Sequence, residues 1–74
     1  MSRKYDFHGV PVEEALDTIE ELVSEVRMSG QPETVEFVTG HGVIKYEARD
    51  LLKQVYDIET FSPLTSPSII VTIE

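Results

Sequence analysis

The chain contains no cysteine. Disulfides, thiolate zinc sites and a cysteine nucleophile are therefore excluded, and a reducing, cytoplasmic setting is expected. No apolar run reaches the length that a membrane span or a signal-peptide core requires, and Met1-Ser2-Arg3-Lys4-Tyr5 leads straight into polar residues, so no membrane partner is expected. Lysine and arginine are scarce, six against fourteen aspartates and glutamates, for a formal charge of −8. Affinity for phosphates comes largely from those two bases, so a broadly basic binding surface is excluded. The distribution of charge then matters more than its total. Arg27 is the single base between Glu13 and Glu36, among eight acids, whereas Lys45, Arg49 and Lys53 outweigh Glu47 and Asp50, and Arg3 and Lys4 outweigh Asp6.

What is present suits one small folded domain. With 74 residues, folding buries only about 60% of the surface that the unfolded chain exposes, so a single continuous core spanning 1–74 and a monomer are expected. The hydrophobic fraction of 41% and charged fraction of 27% are ordinary for globular proteins, and no repeat or low-complexity tract interrupts them.

Lys4-Tyr5-Asp6-Phe7 alternates polar and aromatic residues and stops at Gly9, which predicts a short strand ending in a sharp turn. From Val12 to about Met28 the residues Val12, Ala15, Leu16, Ile19, Leu22, Val23 and Val26 recur at steps of three and four, a core-facing helical stripe. Acids fill the other faces, Pro11 suits the first turn, and Gly30 with Pro32 provides a stop. Residues 34–39 read as a β-rich run ending at Gly40-His41-Gly42, where a second helix begins. Ala48, Leu51, Leu52 and Val55 mark its packed side, and Lys45, Arg49 and Lys53 recur every four residues along an exposed basic row. Residues 58–61 and 68–73 predict two more strands, joined by a Pro- and Ser-rich surface loop. The order is β-α-β-α-β-β. Helices between the first three strands favour parallel crossovers, and right-handed crossovers place both helices on one sheet face, giving a two-layer α/β sandwich.

Candidate chemistry gathers where strands give way to helices. Asp6-Phe7-His8-Gly9 and Thr39-Gly40-His41-Gly42 each follow a predicted strand and precede a helix, and open parallel sheets bind ligands outside the carboxyl ends of their strands. Glycines at 40 and 42 let the backbone approach a ligand, and the unpaired N–H groups opening the second helix suit a phosphate oxygen, with Lys45 and Arg49 adding charge. A strand-to-helix turn without a ligand would use the same glycines. Imidazole is suited to proton transfer near neutral pH, so His8 and His41 could serve as general base and acid in cleaving RNA through its 2′-hydroxyl. Asp6 could orient His8, hold a hydrated magnesium or manganese ion, or simply cap its loop; one carboxylate alone makes a poor metal site, and no metal ligand set is assigned. Tyr5, Phe7, Phe37 and Phe61 read as core or sheet residues.

On these two motifs the chain resembles the Smr (small MutS-related) domain family over about residues 5–74. The family's Asp-Leu-His-Gly motif is matched by Asp6-Phe7-His8-Gly9, and its Thr-Gly-x-Gly or His-Gly-x-Gly motif by Thr39-Gly40-His41-Gly42. Phe7 stands where leucine is common, and His41 where lysine is common. The resemblance implies the fold of the C-terminal domain of translation initiation factor three, a four-stranded mixed sheet in order 1-2-4-3 with its fourth strand antiparallel. It also implies binding of DNA or RNA, with endonuclease or nicking activity in several members. Three functions follow: a nuclease with its site at Asp6, His8 and residues 39–42; a nucleic-acid-binding module that does not cut; and a protein-interaction domain whose acidic first helix docks a basic partner.

Overall fold

A computed structural model describes residues 2–40, 42–62 and 65–74. Strand β1 (Ser2–Asp6) leads into helix α1 (Val12–Ser29), strand β2 (Glu33–Val38) and helix α2 (Val43–Asp50). A π turn over Leu51–Val55 prolongs α2 before strands β3 (Thr60–Phe61) and β4 (Ser68–Ile73). The four strands form one mixed sheet in the order β1-β2-β4-β3. β1 runs parallel to β2, and β4 runs antiparallel to both β2 and β3, as the resemblance implied. Among the described residues no helix is long and apolar enough to cross a membrane.

Strand alternation decides which sheet face is covered. Val35 and Phe37 of β2 and Ile69, Val71 and Ile73 of β4 are buried, while Thr34, Ile70 and Thr72 between them are exposed. Successive side chains on a strand point to opposite faces, so one face carries the core and the other meets solvent. The helices fill the covered face. From α1 come Ala15, Ile19, Leu22, Val23 and Val26, and from α2 and the π turn come Ala48 and Leu52, all in one buried cluster. Each large aliphatic side chain so buried contributes about 1.5–3 kcal/mol. Tyr5, Phe7 and Phe37 add an aromatic group on this side, with Phe7 and Phe37 stacked at 5.7 Å. Phe61, by contrast, is 63% exposed beside Ile70 on the open face.

The first helix follows its pattern closely. Pro11 stands one position earlier than expected, as the N-terminal cap, and its carbonyl accepts the Ala15 N–H at 3.0 Å. Glu13 and Glu14 complement the positive end of the helix dipole, and the N–H of Gly30 closes the far end on the Arg27 carbonyl.

The second crossover departs from expectation in three ways. It is not one α-helix, because the π turn at 51–55 adds a residue to its last turn. Val55, assigned to the packed side by helical spacing, is consequently rotated out and is 65% exposed. Beyond it Asp57 adopts φ 56°, and Ile58 returns to the core with its N–H on the Leu52 carbonyl at 2.8 Å. That return shortens the expected strand 58–61 to Thr60 and Phe61.

Candidate nucleic-acid interface at the loop end of the sheet

Parallel pairing brings the two motifs together. Asp6 lies opposite Val38 in the β1–β2 register, and the Phe7 N–H extends the ladder onto the Val38 carbonyl at 2.9 Å. His8 and Gly40, each two residues past those partners, therefore emerge at one end of the sheet. β4 enters at the same end, since Ser68 pairs with Val38. This end of the sheet thus has a third contributor, residues 65–67 leading into β4, whose prolines and hydroxyls alone predict only a surface loop.

Within the first motif Asp6 acts on the backbone. Its Oδ1 accepts the His8 N–H at 2.8 Å, and the Val10 N–H closes on the Phe7 carbonyl at 3.0 Å. This is an aspartate-stabilised turn, the capping role open to Asp6 from the start. Among the described residues the imidazole of His8 has no hydrogen-bond partner and is exposed to solvent. Gly9 at φ 75° and Gly40 at φ 73° hold the left-handed backbone conformation that both turns need and that other residues adopt only at a cost. Gly42 is different. Its φ is −99°, and a Cβ placed there would meet nothing within 4 Å, so nothing among the described residues demands glycine at 42.

The second motif is tied to the chain entering β4. The N–H groups of Thr39 and Gly40 both donate to the Pro67 carbonyl at 2.8 Å. The Thr39 hydroxyl donates to the Gly40 carbonyl at 3.0 Å and reaches Pro67 O at 3.3 Å. Those donors are engaged within the protein. What remains for an anion is the first turn of α2, where the N–H groups of Val43 and Ile44 precede the intrahelical ladder, at the positive end of the dipole. His41 lies outside the described residues.

Lys45 requires a correction. It does not belong to an exposed basic row. Only 8% exposed, it shares the packed side of α2 with Ala48 and Leu52, and its Nζ donates to the Ser66 carbonyl at 3.0 Å. Spacing carried this signal, because 45, 48 and 52 fall at i, i+3 and i+7, one helical face. Ser66 and Ser68 join their hydroxyls at 2.8 Å, and the Ser68 N–H and the Ser62 hydroxyl complete the network. Lys45 thus anchors the 66–68 segment, which in turn holds Thr39 and Gly40. Arg49 is exposed two turns along α2, as expected, and so is Lys53.

A resident divalent ion finds little to hold it. Asp6 is the single carboxylate of the two motifs and its Oδ1 is engaged, and no cluster of three or more His, Asp or Glu among the described residues could coordinate a metal. Magnesium and calcium sites ordinarily gather several oxygens, so the residues present do not fit a built metal site.

Compared with models of protein families, with curated proteins and with solved structures, the chain finds no significant match.

Proposed function

We propose that this chain is an Smr-type nucleic-acid-binding module that nicks or cleaves a strand at the loop end of its sheet. The observation that carries the reading is the placement of an exposed His8 and Gly40 at one end of the sheet, set by the β1–β2 register, just ahead of α2. A phosphate fits the helix N-terminus, where N–H groups ahead of the intrahelical ladder meet the positive end of the dipole, and an imidazole alongside can give or take a proton. On RNA, one imidazole takes the 2′-hydroxyl proton as that oxygen attacks phosphorus. The other protonates the departing 5′-oxygen, leaving a 2′,3′-cyclic phosphate and a 5′-hydroxyl. His8 and His41 are the two imidazoles of the chain. DNA lacks the attacking hydroxyl and would survive this route.

Binding without cutting is the second reading. Its support is the Asp6 carboxylate, committed to the His8 backbone rather than to the imidazole ring. The test incubates the purified chain with labelled single- and double-stranded DNA and RNA, with and without magnesium or manganese. Cleavage of RNA that a 2′-deoxy linkage blocks supports the two-histidine route. Salt-sensitive binding with no cleavage supports the second reading, and no binding at low salt leaves the acidic face of α1 as the surface for a basic partner. Gly42→Ala probes the contact directly. The added methyl meets open space in the protein, so a loss of affinity beyond about tenfold with a melting temperature within a few degrees of wild type reports a ligand pressed against that backbone.

A further inference from the structure

A groove of about 380 Å³ runs beside the exposed side of α2, between Tyr46, Arg49, Asp50 and Lys53 on the helix and π turn and Glu59 and Thr60 at β3. Its volume is within the range of small-ligand sites, about 300–1,000 Å³. Tyr46 is 62% exposed, so its ring is open to a partner along this side of the helix. Tyr46, Arg49 and Lys53 fall at i, i+3 and i+7, so ring and cations form one stripe. The stripe starts one turn from Gly42 and spans about 10 Å of helix, at 1.5 Å per residue.

We infer that this groove is the path of a single strand leaving the phosphate site at 42–44, with a base stacked on Tyr46 and the backbone held by Arg49 and Lys53. The inference rests on the proposed nucleic-acid reading and narrows it to single strands. An aromatic ring for a base beside cations for the backbone is how proteins hold unpaired nucleic acid without reading sequence. Asp50 and Glu59 repel phosphate and accept hydrogen bonds, so they suit base edges that present amino groups rather than the backbone. A duplex fits poorly. Its bases are not free to stack on a ring, and the acidic exposed side of α1, with Glu13, Glu14, Asp17, Glu20, Glu21 and Glu25, adds repulsion for a second strand's phosphates. The groove itself includes no residue of α1.

Fluorescence anisotropy tests this with labelled single-stranded RNA and DNA of about 12 nucleotides, long enough for one such site, and with the matching duplexes, across a salt series. The expected result is tighter binding of either single strand than of its duplex. Tyr46→Ala should lose about tenfold in affinity at an unchanged salt slope, and Tyr46→Phe should restore it. Arg49→Gln with Lys53→Gln should lower the log-log salt slope by about 1.4, or 0.7 for each phosphate released. If single strands bind but Tyr46→Ala binds as tightly as wild type, or if duplexes bind more tightly, the groove is not the path, although the module still binds nucleic acid. If no nucleic acid binds at low salt, the proposed function and this inference fall together.

Discussion

Helices α1 and α2 serve the same purpose, each carrying the chain from one strand to a parallel one across the same sheet face, yet they are built differently. α1 runs 18 residues with an unbroken apolar stripe and an acidic exterior, and it closes at a left-handed glycine. α2 runs eight residues and passes into a π turn of five; it buries a lysine and leaves Val43 and Tyr46 exposed. Met28, 85% exposed near its end, is the main exception to pattern in α1, whereas α2 breaks several rules within one short segment that starts just past Gly42. Violations of local consistency concentrate where a protein meets its ligand, because there the sequence answers to more than stability. Under the proposed function α1 is scaffold and α2 belongs to the binding surface.

The sharpest way to break that division is His8→Ala. If the chain cleaves RNA, the rate should fall by about 10²–10⁴-fold, some 3–5 kcal/mol of barrier. The melting temperature should stay put, since the ring is exposed and without a hydrogen-bond partner among the described residues. Single-turnover cleavage beside a thermal melt reads both quantities. A parallel fall in stability would make His8 a structural residue and undo the separation.

Next in size come two core truncations, Ile19→Ala in α1 and Leu52→Ala in the π turn. Both side chains are fully buried, so each change should cost about 2–5 kcal/mol in urea denaturation. That is a large share of the about 4–11 kcal/mol expected for a domain of this length. Similar losses would show that the π turn packs as firmly as α1. A cost under about 1 kcal/mol at Leu52 alone would mean that the π turn is loosely held.

A smaller effect is expected at Lys45. Lys45→Met removes the donor to the Ser66 carbonyl, at about 1–3 kcal/mol for an abandoned buried acceptor, and part of this is offset because an ammonium no longer has to be desolvated. The net loss should be near 1 kcal/mol, against less than about 0.5 for Arg49→Met on the exposed side. The more telling readout is amide exchange at Thr39 and Gly40, whose N–H groups rest on Pro67. Exchange should quicken in Lys45→Met, and unchanged exchange would show that the lysine does not anchor the loop.

The contrast between the helices also explains what could be read from the sequence. Period alone exposed α1, β2 and β4, because their buried residues are local repeats: Ile19, Leu22, Val23 and Val26 along a helix, Val35 and Phe37 along one strand, Ile69, Val71 and Ile73 along another. That His8 and Gly40 lie at one end of the sheet was legible as well, since it follows from parallel pairing of the strands before them. Harder to read were the partners of particular side chains. Spacing with Ala48 and Leu52 marks Lys45 as packed, but the Ser66 carbonyl that receives its ammonium is a distant partner that no local period names. The Asp6 carboxylate has a local partner, the His8 N–H two residues on, yet composition leaves that turn as one of several roles. The early end of α2 belongs with these, for it depends on where Ile58 re-enters the core.

The smallest predicted effect tests the π turn itself. Counted at 3.6 residues per turn from Ala48, Leu51 and Leu52, Val55 falls on the packed side of the helix, where truncation to alanine would cost on the order of 1.5–3 kcal/mol by lost burial alone. A π turn closes its hydrogen bonds one residue later, so each residue advances the chain by a smaller angle and the stripe drifts off its face. Val55 is accordingly 65% exposed, while Leu52 stays fully buried. Val55→Ala should therefore change stability by less than about 0.5 kcal/mol, and Val55→Lys should be tolerated as well, as at any open surface position. Urea denaturation of these two variants beside Leu52→Ala decides between the geometries. A loss above about 1.5 kcal/mol at Val55 would mean that the helix continues in regular α form through residue 55. The departure of α2 from the pattern of α1 would then shrink to its buried lysine and its exposed tyrosine.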